Sequence, residues 1–206
     1  TRIQVEHTVT EMVTGVDLVQ AQILIAQGYS LDSQEIGIQS QKDISMRGAA
    51  IQCRITTEDP ANGFMPDTGI IENYRSPGGF GIRLDGGNGF EGSEITPFYD
   101  SLLVKVTAFS RTFEDTRRKA IRALSEMVIK GIKTNVAFML NVLNHPTFAA
   151  GMCDTGFIAN TPDLLNIEKV EDNELKVIEF LGNKFVNETK GHKPQFNVPV
   201  FPKFKK

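Results

Sequence analysis

The sequence has few of the residue types that build disulfide frameworks and zinc sites. It contains only two cysteines, Cys53 and Cys153, and three histidines in 206 residues, with no CxxC or HExxH spacing. These counts exclude a disulfide scaffold and make a zinc centre untenable as the organising feature. The two cysteines are interpreted as reduced, mostly buried thiols of a cytoplasmic protein.

Other absences exclude two classes of partner. No apolar run approaches the about 20 residues of a membrane helix, and no secretory signal pattern opens the chain. The 22 lysines and arginines are outnumbered by 25 aspartates and glutamates, which gives a net charge of −3. Nucleic-acid-binding surfaces carry a basic excess. Neither a membrane nor a nucleic acid is therefore expected as a partner, while a 40% hydrophobic content suffices for a sizeable core.

The opening segment combines three polar side chains that can do chemistry together. The chain begins at Thr1 rather than Met, which predicts a segment of a longer polypeptide. Residues 1–9 alternate polar and apolar and predict a β-strand with Arg2, Gln4 and Glu6 on one face. A guanidinium and an amide can bind a small oxyanion, and a carboxylate can take its proton. The alternative is an ordinary solvated strand face.

The rest of the pattern predicts an α+β fold, a small antiparallel sheet followed by helices. A helix is predicted from Thr8, whose spacing to Glu11 fits a capping box, up to Gly28, and its apolar content indicates burial against a sheet. Strands are predicted at 48–56, 70–74, 81–84 and 102–109, helices at 112–130, 134–143 and 171–187, short helical turns over 147–165, and a linker from 188 onward.

A glycine-rich segment, PGGFGIR at 77–83, precedes one of these strands. Glycine lets the backbone approach a ligand closely, so Arg83 is a candidate cation beside a bound molecule. The alternative is a hairpin turn with Arg83 on the surface. The glycines at 86, 87 and 89 do not precede a helix, which excludes a P-loop or a dinucleotide fingerprint.

Five separated blocks occur in an order that resembles the biotin carboxylase family. The blocks are RIQVEH at 2–7 with its continuation to residue 18, EDP at 58–60, PGGFGIR at 77–83, YDS at 99–101 and GIKTN at 131–135. The resemblance covers residues 1 to about 165. It implies the C-terminal edge of an ATP-grasp domain at 1–28, the biotin carboxylase C-terminal subdomain at 29–165, a connecting helix at 166–187 and a linker toward a carboxyltransferase domain at 188–206.

The resemblance also implies a role for each site residue. Arg2 resembles the arginine that holds bicarbonate, and Gln4 and the backbone of Val5 resemble its hydrogen-bonding partners. Glu6 resembles the general base that deprotonates bicarbonate for attack on the γ-phosphate of ATP. Arg83 resembles the arginine that stabilises the enolate of the biotin ureido ring. Biotin, ATP and Mg²⁺ are the implied cofactors, with the groups for ATP and Mg²⁺ upstream and no metal ligand in this chain, so the chain alone is expected to be inactive.

Within the family, the pyruvate carboxylase branch is the most similar. Thr8 stands where many acyl-CoA carboxylases have proline, and residues 17–23 and 154–165 resemble pyruvate carboxylases. That branch implies a role in anaplerosis and gluconeogenesis. Its partners are bicarbonate, a biotinylated carrier domain, an upstream ATP-grasp part and a downstream carboxyltransferase domain. A dimer through this region and a tetramer of the whole protein are also implied.

Three alternatives remain. The chain can come from the biotin carboxylase of an acyl-CoA carboxylase, or it can serve as a non-catalytic dimerisation or scaffold module. A third alternative is another ATP-grasp ligase, of the carbamoyl-phosphate or purine-synthesis kind. The ordered blocks after residue 58 argue against the third.

Overall fold

The structure, a computed structural model, describes residues 2–87, 89–167 and 180–182. Contacts divide the chain into two units, Thr1–Ile167 and Glu168–Lys206. Apart from 180–182, which are helical, the helix predicted at 171–187 and the linker predicted from 188 onward lie outside the described residues.

The helices and strands with assigned bounds all belong to the first unit. The helices are α1 (His7–Thr14), α2 (Leu18–Ala26), α3 (Phe113–Glu126), α4 (Val136–Asn144) and α5 (Pro146–Ala149), with 3₁₀ turns at Gln41–Asp43, Pro60–Asn62 and Pro162–Leu165. The strands are β1 (Ala49–Thr56), β2 (Glu58–Asp59), β3 (Met65–Pro66), β4 (Gly69–Ile70), β5 (Asn73–Arg75), β6 (Ile82–Gly86), β7 (Glu94–Ile95), β8 (Leu102–Ser110) and β9 (Val128–Lys130).

A three-stranded antiparallel sheet of order β1-β8-β6 is the centre of this unit. Val106 on the central strand lies opposite Cys53 of β1 and Leu84 of β6. The shorter strands form two-stranded antiparallel pairs, β2 with β3, β4 with β7 and β5 with β9. The predicted α+β class with a small antiparallel sheet is confirmed.

The two faces of this sheet differ in chemistry because side chains alternate along each strand. Val104, Val106 and Ala108 of β8 are buried and join a hydrophobic core with Ala123 and Leu124 of α3. The opposite face carries polar side chains, which α1 covers. The polar side chains of this face that form hydrogen bonds with α1 or with one another are Gln52, Arg83, Asp85, Lys105 and Thr107.

Helix α3 begins where the sequence predicts. Thr112 is its N-cap, and the threonine hydroxyl accepts a hydrogen bond from the backbone N–H of Asp115 at 3.1 Å. The helix ends at Glu126, before the predicted end at residue 130, because residues 128–130 pair with β5 as strand β9. The strands on either side of the glycine-rich segment do not pair with each other, so the alternative of a hairpin turn there is wrong: β5 pairs with β9 and β6 pairs with β8.

The predicted strand at 1–9 is wrong. Residues 5 and 6 form a turn, and α1 begins at His7, with Glu6 rather than Thr8 at the N-cap position. The backbone N–H groups of His7 and Val9 bond to the carbonyls of Gln4 and Glu6. These local bonds satisfy the backbone, whereas no strand among the described residues pairs with this segment.

The single buried helix predicted up to Gly28 is wrong as well. Gly15 adopts a left-handed conformation with φ 75° and ends α1. Asp17 then caps α2 by accepting a hydrogen bond from the N–H of Gln20 at 2.8 Å. No residue of α2 is buried in this unit, and Ile23 is 55% exposed. Among the described residues no single helix has the length and apolarity to cross a membrane; α1 and α2 meet that test only as a pair, which is bent by 101°.

Both cysteines are free thiols, as predicted, but only one is buried. Cys53 lies in the core, where burial raises the pKa of its thiol to about 12. Cys153 is exposed because it follows α5 in an irregular surface segment. The predicted short helical turns over 147–165 are present as α5 and the 3₁₀ turn at Pro162–Leu165.

Candidate active site

The three polar side chains predicted to act together are exposed. Arg2, Gln4 and Glu6 are open to solvent, while Ile3 and Val5 between them are partly buried. The predicted alternation of polar and apolar side chains on two sides of the segment is therefore present, although the segment is not a strand. No hydrogen bond or ion pair joins these three side chains to one another, and their exposure leaves them open to a ligand.

The backbone of this segment is anchored to the sheet. The side-chain amide of Gln52 on β1 donates a hydrogen bond to the carbonyl of Val5 at 2.5 Å and a second one to the hydroxyl of Thr8. The Thr8 hydroxyl in turn lies 2.7 Å from that of Thr107 on β8, and both threonines are completely buried. The start of α1 is thus fixed on the polar face of the sheet.

Arg83 on β6 is held by two carboxylates. Its Nε and Nη2 atoms each donate to Asp85 at 2.9 Å, and its Nη1 atom donates to Glu11 at 2.5 Å. These bonds use three of the five guanidinium N–H groups, and within the described residues one N–H on each terminal nitrogen remains for another acceptor. The side chain is 32% exposed, so that acceptor can come from outside.

Glu11 connects the site across α1. Its carboxylate, only 7% exposed, also accepts hydrogen bonds from the backbone N–H of Leu18 at 2.9 Å and from His7 Nδ1 at 3.1 Å. Burial raises the pKa of the Glu11 carboxyl, but the hydrogen bonds from Arg83 and Leu18 outweigh burial and bring the pKa below its ordinary value. Glu11 is therefore a charged carboxylate at neutral pH.

Lys105 completes the chain of contacts. Its Nζ lies 3.1 Å from Nε2 of His7. A lysine ammonium can only donate, so Nε2 must accept and the ring proton sits on Nδ1, which faces Glu11. With His7 neutral, the charges of Lys105 and Arg83 balance those of Glu11 and Asp85. The hydrogen bonds that Arg83 donates to Asp85 raise the pKa of Arg83. Burial of the guanidinium acts in the opposite direction and is outweighed.

The structure brings Arg83 to the opening segment through Glu11, not directly. His7 follows Glu6 in the chain and shares the Glu11 carboxylate with Arg83, whereas no hydrogen bond or ion pair joins Arg83 to Arg2, Gln4 or Glu6. Sequence reasoning missed four members of this network. They are His7, Glu11, Asp85 and Lys105.

Two of the missed pairs had a local signal. Arg83 and Asp85 are two residues apart on a strand, which places them on the same face. His7 and Glu11 are four residues apart, which makes them neighbours on a helix. The spacing of Thr8 and Glu11 instead predicts a capping box, but Glu6 is at the N-cap position and the Glu11 carboxylate accepts from Arg83.

A cleft of about 420 Å³ opens nearby. Val5 is part of its wall, and Arg2, Gln4, Glu6 and Arg83 are not. The other lining residues are Arg54, Thr56, Glu58, Phe64, Asp100, Ser101, Leu102, Asn135 and Met139. In the described part of the chain, no three histidine, cysteine, aspartate or glutamate side chains are grouped so that they could hold a metal ion.

Two sequence profiles of known protein families match this chain. The sequence profile described as "Biotin carboxylase C-terminal domain" matches residues 52–160, more than half of the chain. The chain belongs to this biotin carboxylase family. A second profile, "Carbamoyl-phosphate synthase L chain, ATP binding domain", matches residues 1–34. The predicted biotin carboxylase resemblance, with the end of an ATP-grasp domain in front, is confirmed.

This biotin carboxylase segment is similar to parts of much longer proteins. It is 54% identical over 203 residues to a pyruvate carboxylase of Bacillus subtilis (strain 168), covering 97% of the chain and 18% of the relative. It is 51% identical over 205 residues to a pyruvate carboxylase of Staphylococcus aureus, again covering 18% of that protein. The chain thus spans about a fifth of the length of these curated relatives.

Solved structures agree in fold. A complete multifunctional pyruvate carboxylase from Rhizobium etli superposes with a TM-score of 0.87 at 45% identity, covering 100% of this chain and 20% of that one. The biotin carboxylase domain dimer of the Hydrogenobacter thermophilus 2-oxoglutarate carboxylase superposes with a TM-score of 0.77 at 41% identity, covering 82% of this chain and 36% of that one. The predicted kinship with the biotin carboxylase region of pyruvate carboxylases is therefore confirmed.

Proposed function

We propose that this chain contributes bicarbonate-binding and biotin-carboxylating side chains to the ATP-dependent biotin carboxylase of a larger pyruvate carboxylase, which converts pyruvate to oxaloacetate. The observation that carries the proposal is Arg83. Two carboxylates hold its guanidinium beside the opening segment, and two N–H groups are left for an outside acceptor. The exposed row of Arg2, Gln4 and Glu6 supports it.

The first half of the proposal concerns bicarbonate. Arg2 offers a planar fork that matches its two oxygens, and Gln4 and the backbone N–H of Val5 add further donors. Glu6 lies next in the chain as the general base that removes the bicarbonate proton. Gln52 donates hydrogen bonds to the Val5 carbonyl and the Thr8 hydroxyl and so fixes the backbone of this segment, while the side chains of Arg2, Gln4 and Glu6 stay accessible.

The second half concerns biotin. A ureido oxygen that gains negative charge needs N–H donors already aimed at it, and Arg83 has two unused donors in a fixed orientation. Biotin accepts the carboxyl group and carries it onward when it is bound. We assign Mg²⁺ and the phosphates of ATP to parts of the polypeptide outside this chain, as the resemblance to biotin carboxylases implies.

The proposed partners follow from the relatives. The Hydrogenobacter thermophilus biotin carboxylase domain is described as a dimer in complex with MgADP and bicarbonate, and the Rhizobium etli protein as a complete multifunctional enzyme. We extend to this chain a dimer through the biotin carboxylase region, a tetramer of the whole protein, a biotinylated carrier domain and a downstream carboxyltransferase. The location proposed is the cytoplasm. The proposed domain organisation is the edge of an ATP-grasp domain at 1–28, the biotin carboxylase C-terminal subdomain at 29–165, a connecting helix at 166–187 and a linker at 188–206.

The test substitutes Glu6→Gln and Arg83→Gln in the full-length polypeptide. Carboxylation of biotin is expected to fall by about 100-fold or more in each variant, because each loses a group that acts on reacting atoms. Matched controls are Glu91→Gln and Arg118→Gln, both at exposed positions outside the network. Oligomeric state is measured by size-exclusion chromatography with light scattering.

The outcomes separate two classes of function. Loss of carboxylation in intact oligomers supports a catalytic segment. Loss of assembly with normal carboxylation per folded subunit overturns the proposal in favour of a dimerisation or scaffold module. Full activity in both variants also overturns it.

A further inference from the structure

We propose that Glu11 is a positioning residue that orients Arg83 for the carboxylation of biotin. The inference rests on the proposed function and deepens it, because it names a group that acts through Arg83 rather than on biotin. Glu11 lies on α1 and Arg83 on β6, 72 positions apart in sequence, and their side chains meet at 2.5 Å.

The need for a second carboxylate follows from the geometry of β6. Asp85 and Arg83 are two residues apart on the same strand, and the aspartate holds one edge of the guanidinium through Nε and Nη2. Asp85, a partner on the same strand, restrains only this one edge of the guanidinium. Glu11 holds Nη1 from a different element, so the plane of the guanidinium is fixed from two directions.

Glu11 is itself held where it can do this. One carboxylate oxygen, Oε1, accepts from the N–H of Leu18, and the other, Oε2, accepts from both His7 and Arg83. With 7% of its side chain exposed, water cannot easily replace these partners. The contact with Arg83 is therefore a property of the folded unit rather than of a mobile surface pair.

Lys105 offsets an electrostatic cost of this arrangement. Two carboxylates around one guanidinium would weaken its attraction for a developing negative charge. Lys105 donates to His7, and His7 donates to the same Glu11 oxygen that accepts from Arg83, so a second positive charge is linked to this carboxylate through the imidazole. Arg83 keeps its orientation without facing an uncompensated negative pair.

The consequence is a separation of two partial reactions. Glu11 makes no hydrogen bond or ion pair with Arg2, Gln4 or Glu6, the residues proposed for bicarbonate, and it accepts a hydrogen bond from Arg83 directly. Removing its charge should therefore impair the step that needs Arg83. ATP cleavage that depends on bicarbonate alone should continue.

The experiment uses Glu11→Gln in the full-length polypeptide with two assays. Bicarbonate-dependent ATP cleavage is measured without biotin, and carboxylation is measured with free biotin. A glutamine has a single acceptor oxygen, so either Leu18 or Arg83 must face its NH₂ group. Carboxylation is expected to fall by about 10- to 100-fold through kcat, since misplaced groups cost rates of that order, while ATP cleavage stays within about two-fold.

Controls distinguish positioning from a general structural role. Glu114→Gln is the matched control, because Glu114 also pairs with arginines, Arg117 and Arg118, but on α3. It should change neither assay. A double variant, Glu11→Gln with Arg83→Gln, should be no slower in carboxylation than Arg83→Gln alone, because a residue that acts only through Arg83 has no effect once Arg83 is gone.

Each result decides the matter. Equal loss in both assays, unchanged carboxylation, or additive losses in the double variant overturns the positioning role while leaving the proposed function intact. If the unsubstituted polypeptide lacks both activities, the proposed function itself fails. If thermal unfolding shows that Glu11→Gln does not fold, Glu11→Asp replaces it, because aspartate keeps the charge but its side chain is too short to reach Arg83 in the same way. Glu11→Asp must then lower carboxylation while leaving bicarbonate-dependent ATP cleavage unchanged.

Discussion

Glu11 accepts a hydrogen bond from Arg83 at 2.5 Å across the boundary between two family profiles. Glu11 lies in the part that matches an ATP-binding domain, residues 1–34, and Arg83 in the part that matches the biotin carboxylase C-terminal domain, residues 52–160. Other polar contacts cross the same boundary, including Thr8 with Thr107. Hydrogen bonds thus fix the relative orientation of the two parts, because their geometry is directional in a way that apolar packing is not.

The buried hydroxyl pair of Thr8 and Thr107 should contribute measurably to stability. Thr107→Val leaves the buried Thr8 hydroxyl without this partner, and we expect a loss of about 1–3 kcal/mol in the free energy of unfolding. The double variant Thr8→Val with Thr107→Val should lose less than the sum of the single variants, because neither hydroxyl then remains unpaired. Urea unfolding checks this, with the exposed Thr10→Val as control. Strictly additive losses would contradict the pairing.

Asn135 should not tolerate its closest isostere. Its side chain accepts from the N–H of Thr56 and donates to the carbonyl of Arg54, each at 3.0 Å, and the residue is 4% exposed. Asn135→Asp replaces the donor with an oxygen facing a carbonyl and buries a charge, so we expect a loss of about 2–4 kcal/mol. Asn144→Asp, at an exposed position, is the control. Equal unfolding midpoints for the two variants would show that this bridge is unimportant.

Gly131 is required by the backbone conformation between β9 and α4. Its φ is 95°, and a Cβ atom there would collide with the carbonyl oxygen of Ile70. Gly131→Ala should therefore lower the free energy of unfolding by about 2–4 kcal/mol. Gly86→Ala is the matched control, because a Cβ at that position meets nothing within 4 Å. Thermal unfolding of both variants tests this, and similar midpoints would refute the clash.

Acid should remove a stabilising effect of Glu114. Hydrogen bonds from Arg117 lower the pKa of the Glu114 carboxyl to about 2, against the smaller opposing effect of burial. A depressed folded-state pKa stabilises the fold above the unfolded-state pKa, about 4.3 for glutamate, and this stabilisation disappears as the pH falls through the folded-state value.

The measurement compares thermal unfolding midpoints of the wild-type chain and Glu114→Gln from pH 7 to pH 2. The wild type should unfold at the higher temperature at neutral pH, and the difference should close between about pH 4 and pH 2. Glu91→Gln is the control for substitution of an exposed glutamate. A difference that stays constant down to pH 2 would contradict the assignment.

Several elements could be predicted because their causes are local. The run of apolar and β-branched residues at 102–109 is readable as a strand, and β8 is one. Thr112 followed by Asp115 carries the capping signal that begins α3. The biotin carboxylase blocks were likewise visible without coordinates, since each is a short contiguous run of residues.

Local signals also misled where two of them competed. The apolar run after Met12 masked Gly15 and Asp17, which end one helix and begin the next. The alternation of residues 1–9 predicted a strand, but strand formation needs a neighbour, and none of the described strands provides one.

The sequence alone determined which side chains are available for the chemistry, from Arg2 to Arg83, and the strand that carries Arg83. Only the tertiary structure decided that Arg83 meets Glu11 and that Lys105 lies behind His7. Backbone periodicity acts over a few residues, whereas these contacts depend on how α1 packs on the polar face of the sheet, which no local rule specifies.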